Sequence, residues 1–268
     1  ELFILMITVG IDVGSSTTKA VLLNGSDWCW VIRPTGCSPR QAGREALEEL
    51  LGRAGLKREE VTCMVGTGYG RISLPFIDKA VTEITCHARG AHHLLQGIDM
   101  VVDIGGQDSK VILTDGQGNV VDFAMNDKCA AGTGRFLEVI AAALGADVSE
   151  LADLARGAEP VQISSICTVF AESEVISLLA QGVEKGRIIA GIHRAVALRV
   201  ATMAERLGKG ELILFTGGVA KNEGVREYLS RELGRKAVVT PESQLAGALG
   251  AALLAREKAG LSRRERGC

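Results

Sequence analysis

Three short glycine-rich segments each follow an apolar run and are suited to binding phosphate groups. They are Gly14–Thr18, Gly105–Asp108 and Thr216–Ala220. Such turns point backbone N–H groups at phosphate oxygens, and glycine is needed because a Cβ would keep the backbone away from the phosphate. The first segment adds hydroxyl donors from Ser15, Ser16, Thr17 and Thr18. Together the segments indicate a nucleotide phosphate site, whereas any one alone fits equally well with a turn that only joins two strands.

Charged residues accompany the first two segments. Asp12 and Asp103 end apolar runs, where two carboxylates could hold a hydrated Mg²⁺ between phosphates. Lys19 could neutralise phosphate charge, whereas Lys110 is expected to be a solvated strand residue. The pattern is neither a Walker A loop nor a Rossmann fingerprint, because the spacings of both motifs are missing from the strand–helix turns.

The sequence contains an internal repeat. Ile11–Lys19 and Val102–Lys110 carry aspartate, glycine and lysine at matching positions, 91 residues apart. Each copy predicts a strand, a tight glycine turn and a second strand. Two such copies in one chain suggest two lobes of similar build.

Two cysteines precede predicted helices. Cys129 comes shortly before Arg135–Leu144, and Cys167 shortly before Val169–Gln181. A helix N-terminus carries partial positive charge, which lowers the pKa of a nearby thiol. Two thiolates per chain are half of the ligands of a 4Fe–4S cluster, and a two-fold dimer would supply the other half. Spacing alone fits buried apolar cysteines as well, which is the commonest role of a cytosolic cysteine.

Composition excludes several classes of protein. At about 150 residues per domain, 268 residues predict roughly two compact units. The hydrophobic fraction of 47% excludes a disordered chain, and a net charge of −2 gives no footprint for nucleic acid. Seven cysteines without a C-x-x-C pair exclude a fully paired disulfide framework and indicate a reducing, cytoplasmic setting. The apolar run Leu2–Val13 is too short to span a membrane and predicts a buried first strand.

Apolar periodicity and turn signals predict the elements around these segments. One predicted helix begins at Ser38–Pro39, and further helices are predicted for Arg135–Leu144, Val169–Gln181, Ile188–Leu207 and Leu245–Lys258. Val61–Val65 and Glu211–Phe215 are predicted strands, and the tail Ser262–Cys268 is expected to be frayed.

The glycine-rich segments resemble the loops of the actin and sugar-kinase superfamily. Gly10–Lys19 and Val102–Lys110 look like its two phosphate loops, and Phe215–Asn222 looks like its adenosine loop. Ala131–Gly134 and Gly247–Gly250 look like its two connecting helices, packed through small residues. The resemblance implies an α/β, two-lobed actin-like (ribonuclease H-like) ATPase fold with duplicated lobes and ATP in a cleft between them.

The predicted first lobe comprises residues 1–95 with 243–268, and the second, residues 96–242, carries the two cysteines. The turns and the superfamily pattern together predict ATP contacts at Asp12, Gly14, Ser15, Ser16, Thr17, Thr18, Lys19, Asp103, Gly105, Gly106, Gln107, Gly132, Thr133, Gly134, Gly217, Gly218, Val219, Asn222 and Gln244. Gln107 is expected to orient water near the γ-phosphate and Asp108 to accept a proton.

Longer motifs resemble the activator ATPases of 2-hydroxyacyl-CoA dehydratases, a group that includes the ATPase subunits of benzoyl-CoA reductase. The similar segments are Thr67–Arg71, Cys86–Gly90, Ile104–Asp108, Asn126–Phe136, Ser164–Ser177 and Ala190–His193. The resemblance implies a homodimer with one 4Fe–4S cluster held by Cys129 and Cys167 of each chain, together with ATP or ADP and Mg²⁺. It further implies that ATP hydrolysis drives one electron, received from reduced ferredoxin or flavodoxin, into a partner dehydratase.

The remaining candidates receive structural interpretations. The four histidines, His87, His92, His93 and His193, lack the partners of a metal site or a catalytic triad. Cys29, Cys37, Cys63, Cys86 and Cys268 have no predicted ligand role, and the roles of Tyr69 and Arg71 stay open. Two rival functions also stay open: a small-molecule kinase with the same fold, and a nucleotide-dependent scaffold without catalysis.

Overall fold

The computed structural model describes residues 6–164, 167–208 and 210–266, with side chains as far as residue 260. Ser165 and Ile166 of the second cysteine motif, and Cys268, lie outside the described residues. The chain divides into two units. Unit 1 runs to Gly97 and adds Thr114–Val120 and the chain from Pro241, while unit 2 comprises Ile98–Leu113 and Val121–Thr240. The predicted lobes end at nearby positions but leave Thr114–Val120 in the second lobe.

Unit 1 is built on a mixed five-stranded sheet in the order β3-β2-β1-β4-β5. The strands are β1 (Ile7–Val13), β2 (Thr17–Asn24), β3 (Asp27–Pro34), β4 (Cys63–Thr67) and β5 (Lys79–Ala80). β1 pairs antiparallel with β2 and parallel with β4. The described part of the first apolar run therefore contains a buried strand, as predicted, and Leu2–Leu5 lie outside the described residues.

Helices cover both faces of the unit 1 sheet. They are α1 (Pro39–Ala54), α2 (Glu83–Leu94) and α8 (Ala246–Arg266). One face packs Val9, Ile11 and Val13 against the α1 leucines. On the other face α8 lies directly on β1, because a Cβ at Gly10 would overlap the Ala248 carbonyl. Small residues therefore let α8 pack closely within unit 1, while the predicted packing of Gly247–Gly250 at a hinge with Ala131–Gly134 stays a prediction.

Unit 2 repeats this plan with the sheet order β10-β9-β6-β7-β8. Its strands are β6 (Met100–Ile104), β7 (Ser109–Thr114), β8 (Val120–Asn126), β9 (Ile213–Thr216) and β10 (Ala237–Val238). Taken backwards, the order matches that of unit 1: an antiparallel three-strand meander followed by two parallel strands. The internal repeat of the sequence is therefore a repeat of structure, and the α/β fold class is confirmed.

The helices of unit 2 are α3 (Gly134–Leu144), α4 (Leu151–Leu154), α5 (Thr168–Ala180), α6 (Lys185–Leu207) and α7 (Glu223–Leu233). Their apolar faces share one core with β6 and β9, in which Val102, Ile140, Val175, Val196 and Phe215 are buried. Apolar periodicity predicts α1, α3, α5 and α6 within a few residues. The last helix continues past its predicted end at Lys258 to Arg266, and so includes most of the tail Ser262–Cys268 that was expected to be frayed.

Candidate functional site

The first glycine turn carries a partly buried ion pair. Asp12 and Lys19 are register partners on β1 and β2, and Lys19 Nζ lies 3.2 Å from Asp12 Oδ2. The Asp12 carboxylate is held by backbone on two sides, because a Cβ at Gly68 or Gly247 would lie 2.5 or 3.0 Å from its oxygens. The two charges therefore have fixed positions at the end of the strand.

The four hydroxyl residues of this turn differ in exposure. Ser16 is exposed, while Ser15 and Thr17 are half-buried. Thr18 is fully buried, and its hydroxyl lies 2.9 Å from that of Thr35, which donates to the Gly14 carbonyl at 2.8 Å. Thr18 thus fixes the shape of the turn, and the other three residues remain available to a ligand.

The second glycine turn repeats the pair but buries it. Asp103 and Lys110 are register partners on β6 and β7. Lys110 has 2% of its side chain exposed, and its Nζ lies 3.4 Å from Asp103 Oδ2 and 2.6 Å from Asp108 Oδ2. The prediction of a solvated Lys110 is wrong, because both faces of β7 are buried at this point and two carboxylates balance the charge of the side chain.

The third glycine turn is connected to the second. Thr216, the last residue of β9, donates its hydroxyl hydrogen bond to Asp103 Oδ1 at 2.8 Å. Gly217 then takes φ 87° and ψ 176°, and a Cβ there would lie 3.0 Å from the same oxygen. Unit 1 has the same arrangement at Gly68, with φ 86° and ψ 174°, beside Asp12. The internal repeat therefore includes the third glycine turn, whose counterpart in unit 1 begins at Gly68. In the sequence the two segments share the dipeptide Thr-Gly.

Asn222 and Val219 have structural roles in the described chain. Asn222 caps α7, since its Oδ1 accepts from the Val225 N–H at 3.0 Å. Its Nδ2 lies 3.2 Å from Nε2 of His193, which is fully buried in α6. Burial lowers the pKa of His193 to about 4. Val219 packs in the core, so its backbone is the part that a nucleotide could contact.

Two glutamines present free polar groups. Gln107 lies exposed at the second turn. Gln244 is half-buried, and its buried Oε1 has no hydrogen-bond partner among the described residues. A buried acceptor without a partner is costly, so Gln244 is suited to a ligand donor such as an adenine amino group.

Helix α3 begins on the second glycine turn. The N–H groups of Gly134 and Arg135 donate to the carbonyls of Gly105 and Gly106, both at 2.8 Å. These are first-turn donors that lack a partner within the helix. Thr133, fully buried, donates both its N–H and its hydroxyl to the Ala130 carbonyl. The connecting segment is therefore bonded to the predicted phosphate turn at one end and to the Cys129 loop at the other.

The Cys129 loop is held by one side chain and one glycine. The Asn126 amide donates to the carbonyls of Cys129 and Ala131 at 2.8 and 3.2 Å. Gly132 takes φ 86°, in the left-handed region, and lies under Arg199. Cys129 itself is a free, half-buried cysteine.

Cys167 is a free, exposed cysteine directly before α5. Two exposed apolar side chains follow it in the first turn of that helix: Val169 and Phe170 are each 67% exposed. The buried face of α5, with Ala171 and Val175, packs in the same core as Phe136 of α3. Both cysteine segments thus end at helices that are packed together.

These two cysteines fit an iron–sulfur cluster. Each thiol is free and lies in a loop that leads into a helix. Among the residues that the structure describes, no group of three or more His, Cys, Asp or Glu side chains is arranged to hold a metal ion. Two thiolates from one chain and two from a second copy make the set of four that a 4Fe–4S cluster uses.

The other described cysteines all lie in unit 1. Cys86 is fully buried, and burial raises the pKa of its thiol to about 12. Burial also raises the pKa of the Cys63 and Cys29 thiols. Cys37 is exposed, just before α1.

Duplicated sheets with three glycine turns define the class as an actin-like ATPase fold. The sequence matches the group described as the BadF/BadG/BcrA/BcrD ATPase family over residues 9–255. The chain belongs to this family of ATPases.

Relatives and a solved structure agree along nearly the whole chain. It is 48% identical to the (R)-2-hydroxyglutaryl-CoA dehydratase activating ATPase of Acidaminococcus fermentans, over 94% of this chain and 98% of the relative. It is 44% identical to the 2-hydroxyisocaproyl-CoA dehydratase activator of Clostridioides difficile, over 97% and 98% of the two chains. The crystal structure of that activator from Clostridium difficile with bound ADPNP superimposes with a TM-score of 0.92 at 43% identity, covering 97% of this chain and 98% of the other.

Sequence reasoning missed two contacts that organise the site. The burial of Lys110 was signalled only by its place directly before the apolar run Val111–Leu113. The hydrogen bonds from α3 to Gly105 and Gly106 could not be predicted from the sequence, because they join backbone groups that are the same whatever the residue type. No helix among the described residues is long and apolar enough to cross a membrane.

Proposed function

We propose that this protein is an ATP-driven activator of a 2-hydroxyacyl-CoA dehydratase, working as a homodimer that shares one 4Fe–4S cluster through Cys129 and Cys167 of each chain. Family membership supports the ATPase activity, and relatives above 40% identity are named as activators of such dehydratases. The cluster, Mg²⁺, the homodimer, a cytoplasmic setting and reduced ferredoxin or flavodoxin as electron donor are parts of this proposal.

One observation carries the proposal: the start of α3 is hydrogen-bonded to the predicted phosphate turn. Gly134 and Arg135 donate to Gly105 and Gly106, and five residues before Gly134 stands Cys129. A change at the turn on nucleotide binding or hydrolysis therefore shifts the first turn of α3 directly. Since Thr133 and Asn126 bond the intervening loop, that shift reaches the Cys129 backbone through two hydrogen-bonded steps.

The nucleotide would be bound mainly by backbone groups and two charged pairs. Ser15, Ser16 and Thr17 offer donors at the first turn, and Gly106, Gly217 and Gly218 at the others. The N–H groups of Gly14 and Gly105 instead shape these turns, because they donate to the Thr17 and Asp108 carbonyls. Lys19, whose side chain is 12% exposed, is suited to phosphate. Asp12 and Asp103 would hold Mg²⁺ through its water ligands, because each carboxylate is already paired with a lysine. Gln107 would orient the attacking water, and Gln244 would accept from the adenine.

The chain's own residues prepare the cluster site. The Asn126 side-chain amide fixes the Cys129 backbone by donating a hydrogen bond to its carbonyl. Cys167 lies at the N-terminus of α5, the positive end of the helix dipole. The exposed Val169 and Phe170 beside Cys167 are suited to burial against a second copy of the chain. When bound, the cluster supplies the low-potential electron that the dehydratase needs.

The test is anaerobic reconstitution. Purified protein, reduced and given MgATP, is mixed with a 2-hydroxyacyl-CoA dehydratase, and formation of the enoyl-CoA is followed. Dehydration is expected with MgATP and absent with ADP. The variants C129S and C167S should lose both iron and activation, whereas C37S, at an exposed cysteine of unit 1, should keep both.

The rival functions give different results. A colourless, iron-free protein whose ATP turnover rises with a sugar or an organic acid would be a kinase, and absence of ATP turnover would indicate a scaffold. An iron-containing protein that drives a benzoyl-CoA-type reductase but no dehydratase would place this chain with the reductase subunits instead.

A further inference from the structure

Lys110 is one of the largest fully buried side chains of the protein, although it carries a charge. A buried ammonium is costly unless carboxylates compensate it. Here Nζ lies 2.6 Å from Asp108 Oδ2 and 3.4 Å from Asp103 Oδ2. Packing alone does not explain a lysine at this position, because an apolar residue of similar volume would fill the space without the free-energy cost of burying a charge.

We infer that Lys110 is a positioning residue for ATP hydrolysis: it fixes the carboxylates of Asp108 and Asp103 at the second glycine turn and does not itself touch the nucleotide. The inference rests on the ATPase activity of the family and on the proposed phosphate site. It does not depend on the cluster or on the dehydratase.

The contacts of the two carboxylates carry this role. The Asp108 carboxylate lies against the turn, since a Cβ at Gly105 would be 2.6 Å from Oδ1, and the Gly105 N–H donates to the Asp108 carbonyl at 2.9 Å. The Asp103 carboxylate accepts from Thr216, the residue before Gly217. Through these two carboxylates Lys110 joins the second and third glycine turns of unit 2.

The equivalent pair in unit 1 shows what is specific to Lys110. Lys19 also pairs with an aspartate, but the position that matches Asp108 is Thr17, which has no charge. Lys19 keeps 12% of its side chain exposed, against 2% for Lys110. The repeat has therefore separated two roles: an accessible lysine suited to phosphate in unit 1, and an enclosed one suited to holding carboxylates in unit 2.

The role also changes what Asp108 does. In hydrolysis, water adds to the γ-phosphorus, the bond to the bridging oxygen breaks with its electron pair leaving on ADP, and the proton of water leaves with phosphate. Such a loose transition state depends mainly on positioning and electrostatics. Protonation of Asp108 would break its ion pair with the buried ammonium group of Lys110. Asp108 is therefore a fixed anion beside the turn, and proton acceptance is not its function.

The experiment compares K110M, D108N and the double variant D108N/K110M in the purified dimer, with K236M at an exposed lysine of unit 2 as matched control. Melting temperature, MgATP affinity, KM and kcat for ATP hydrolysis are measured for each. K110M should lower the melting temperature and lower kcat about 100-fold, as expected for misplaced groups. The double variant should regain part of the lost melting temperature, because one of the two carboxylates that lose the lysine is replaced by a neutral amide, while kcat stays low and the affinity for MgATP changes little.

The double variant keeps the inference testable if K110M alone does not fold. Recovery of kcat together with melting temperature would show that the lysine only balances charge in the core, and would overturn the inference. Failure of the wild-type protein to activate any dehydratase would overturn the proposed function but not this result, because only ATP hydrolysis is measured here.

Discussion

The two aspartate–lysine pairs have the same register but different surroundings. Asp12 with Lys19 and Asp103 with Lys110 sit directly opposite each other on paired antiparallel strands. In each case a glycine with φ near 87° brings backbone against the carboxylate. The chemistry of the site is therefore built twice from the same parts, and single neighbouring residues decide how open each copy is.

Cysteine reactivity tests the assignments at the scale of single residues. The thiolate is the form that alkylates, so a pKa of about 12 leaves about one Cys86 in ten thousand reactive at pH 8, and the side chain is also fully buried. Iodoacetamide at pH 8 should label exposed Cys37 rapidly and Cys86 only after unfolding, as measured by mass spectrometry of the peptides.

Removal of the cluster extends this test. Cys129 and Cys167 should be protected from iodoacetamide in the iron-loaded protein and labelled after iron is chelated anaerobically, with Cys37 labelled equally in both states. Equal labelling of Cys167 with and without iron would exclude it as a ligand.

At the scale of elements, the segment between Cys129 and α3 depends on a backbone that only glycine adopts easily. Gly132 has φ 86°, so an alanine there adds strain of about 1–3 kcal/mol. The variant G132A should unfold at lower urea concentration and also bind iron less tightly, because the strained loop carries Cys129.

The matched control is G145A. Gly145 also has positive φ, at the other end of α3, with open space around it and no cysteine nearby. It should lose stability but keep its iron affinity. Unchanged iron binding in G132A would separate the loop conformation from the cluster.

The contact between α6 and α7 predicts a pH dependence of stability. Burial lowers the pKa of His193 from 6.5 to about 4. The unfolded chain is therefore protonated at this histidine below pH 6.5, whereas the folded chain is protonated there only below about pH 4. The free energy of unfolding should therefore be intact above pH 6.5 and fall as the pH drops, by about 2 kcal/mol between pH 7.5 and 5. Urea unfolding of the wild type and of H193Q at these two pH values measures it. H193Q should lack this part of the change, and equal changes in both proteins would contradict it.

The sequence predicts elements whose signals are local, and misses those that depend on distant neighbours. The periodicity of α1, α3, α5 and α6 and the cap at Ser38 are such local signals. Helix α2 was missed because Gly90 and three histidines break its apolar pattern, yet Gly90 is what lets α8 pack closely. Charged Lys110 was misplaced for the same reason, since only the folded β6–β7 pair shows the carboxylates that balance it.

At the scale of the whole molecule, the two units share one plan. Each has a three-stranded antiparallel meander, two further parallel strands and two glycine turns, at Gly14 and Gly68 in unit 1 and at Gly105 and Gly217 in unit 2. Unit 2 adds α3 to α6 with the two cysteine segments. The proposed division of labour follows from this: both units contribute phosphate turns, and only unit 2 carries the thiols.

Iron content tests the proposed dimer. Anaerobic native mass spectrometry should show two chains with one 4Fe–4S cluster, as expected for four thiolates shared across a two-fold axis. In C167S, as in C129S, the cluster mass should be missing. A single chain carrying a complete cluster would contradict the shared site.

The hydrogen bonds from the first two amides of α3 to the Gly105 and Gly106 carbonyls make hydrogen exchange at these amides a measure of the conformation of the second glycine turn. Its first two amide hydrogens are protected only while the turn that accepts them stays in place. Deuterium uptake at Gly134 and Arg135 therefore records the state of the turn from within the chain, without a label and without any colour from bound iron. A nucleotide that moves the turn would change exchange at these two positions before any electron has left the protein.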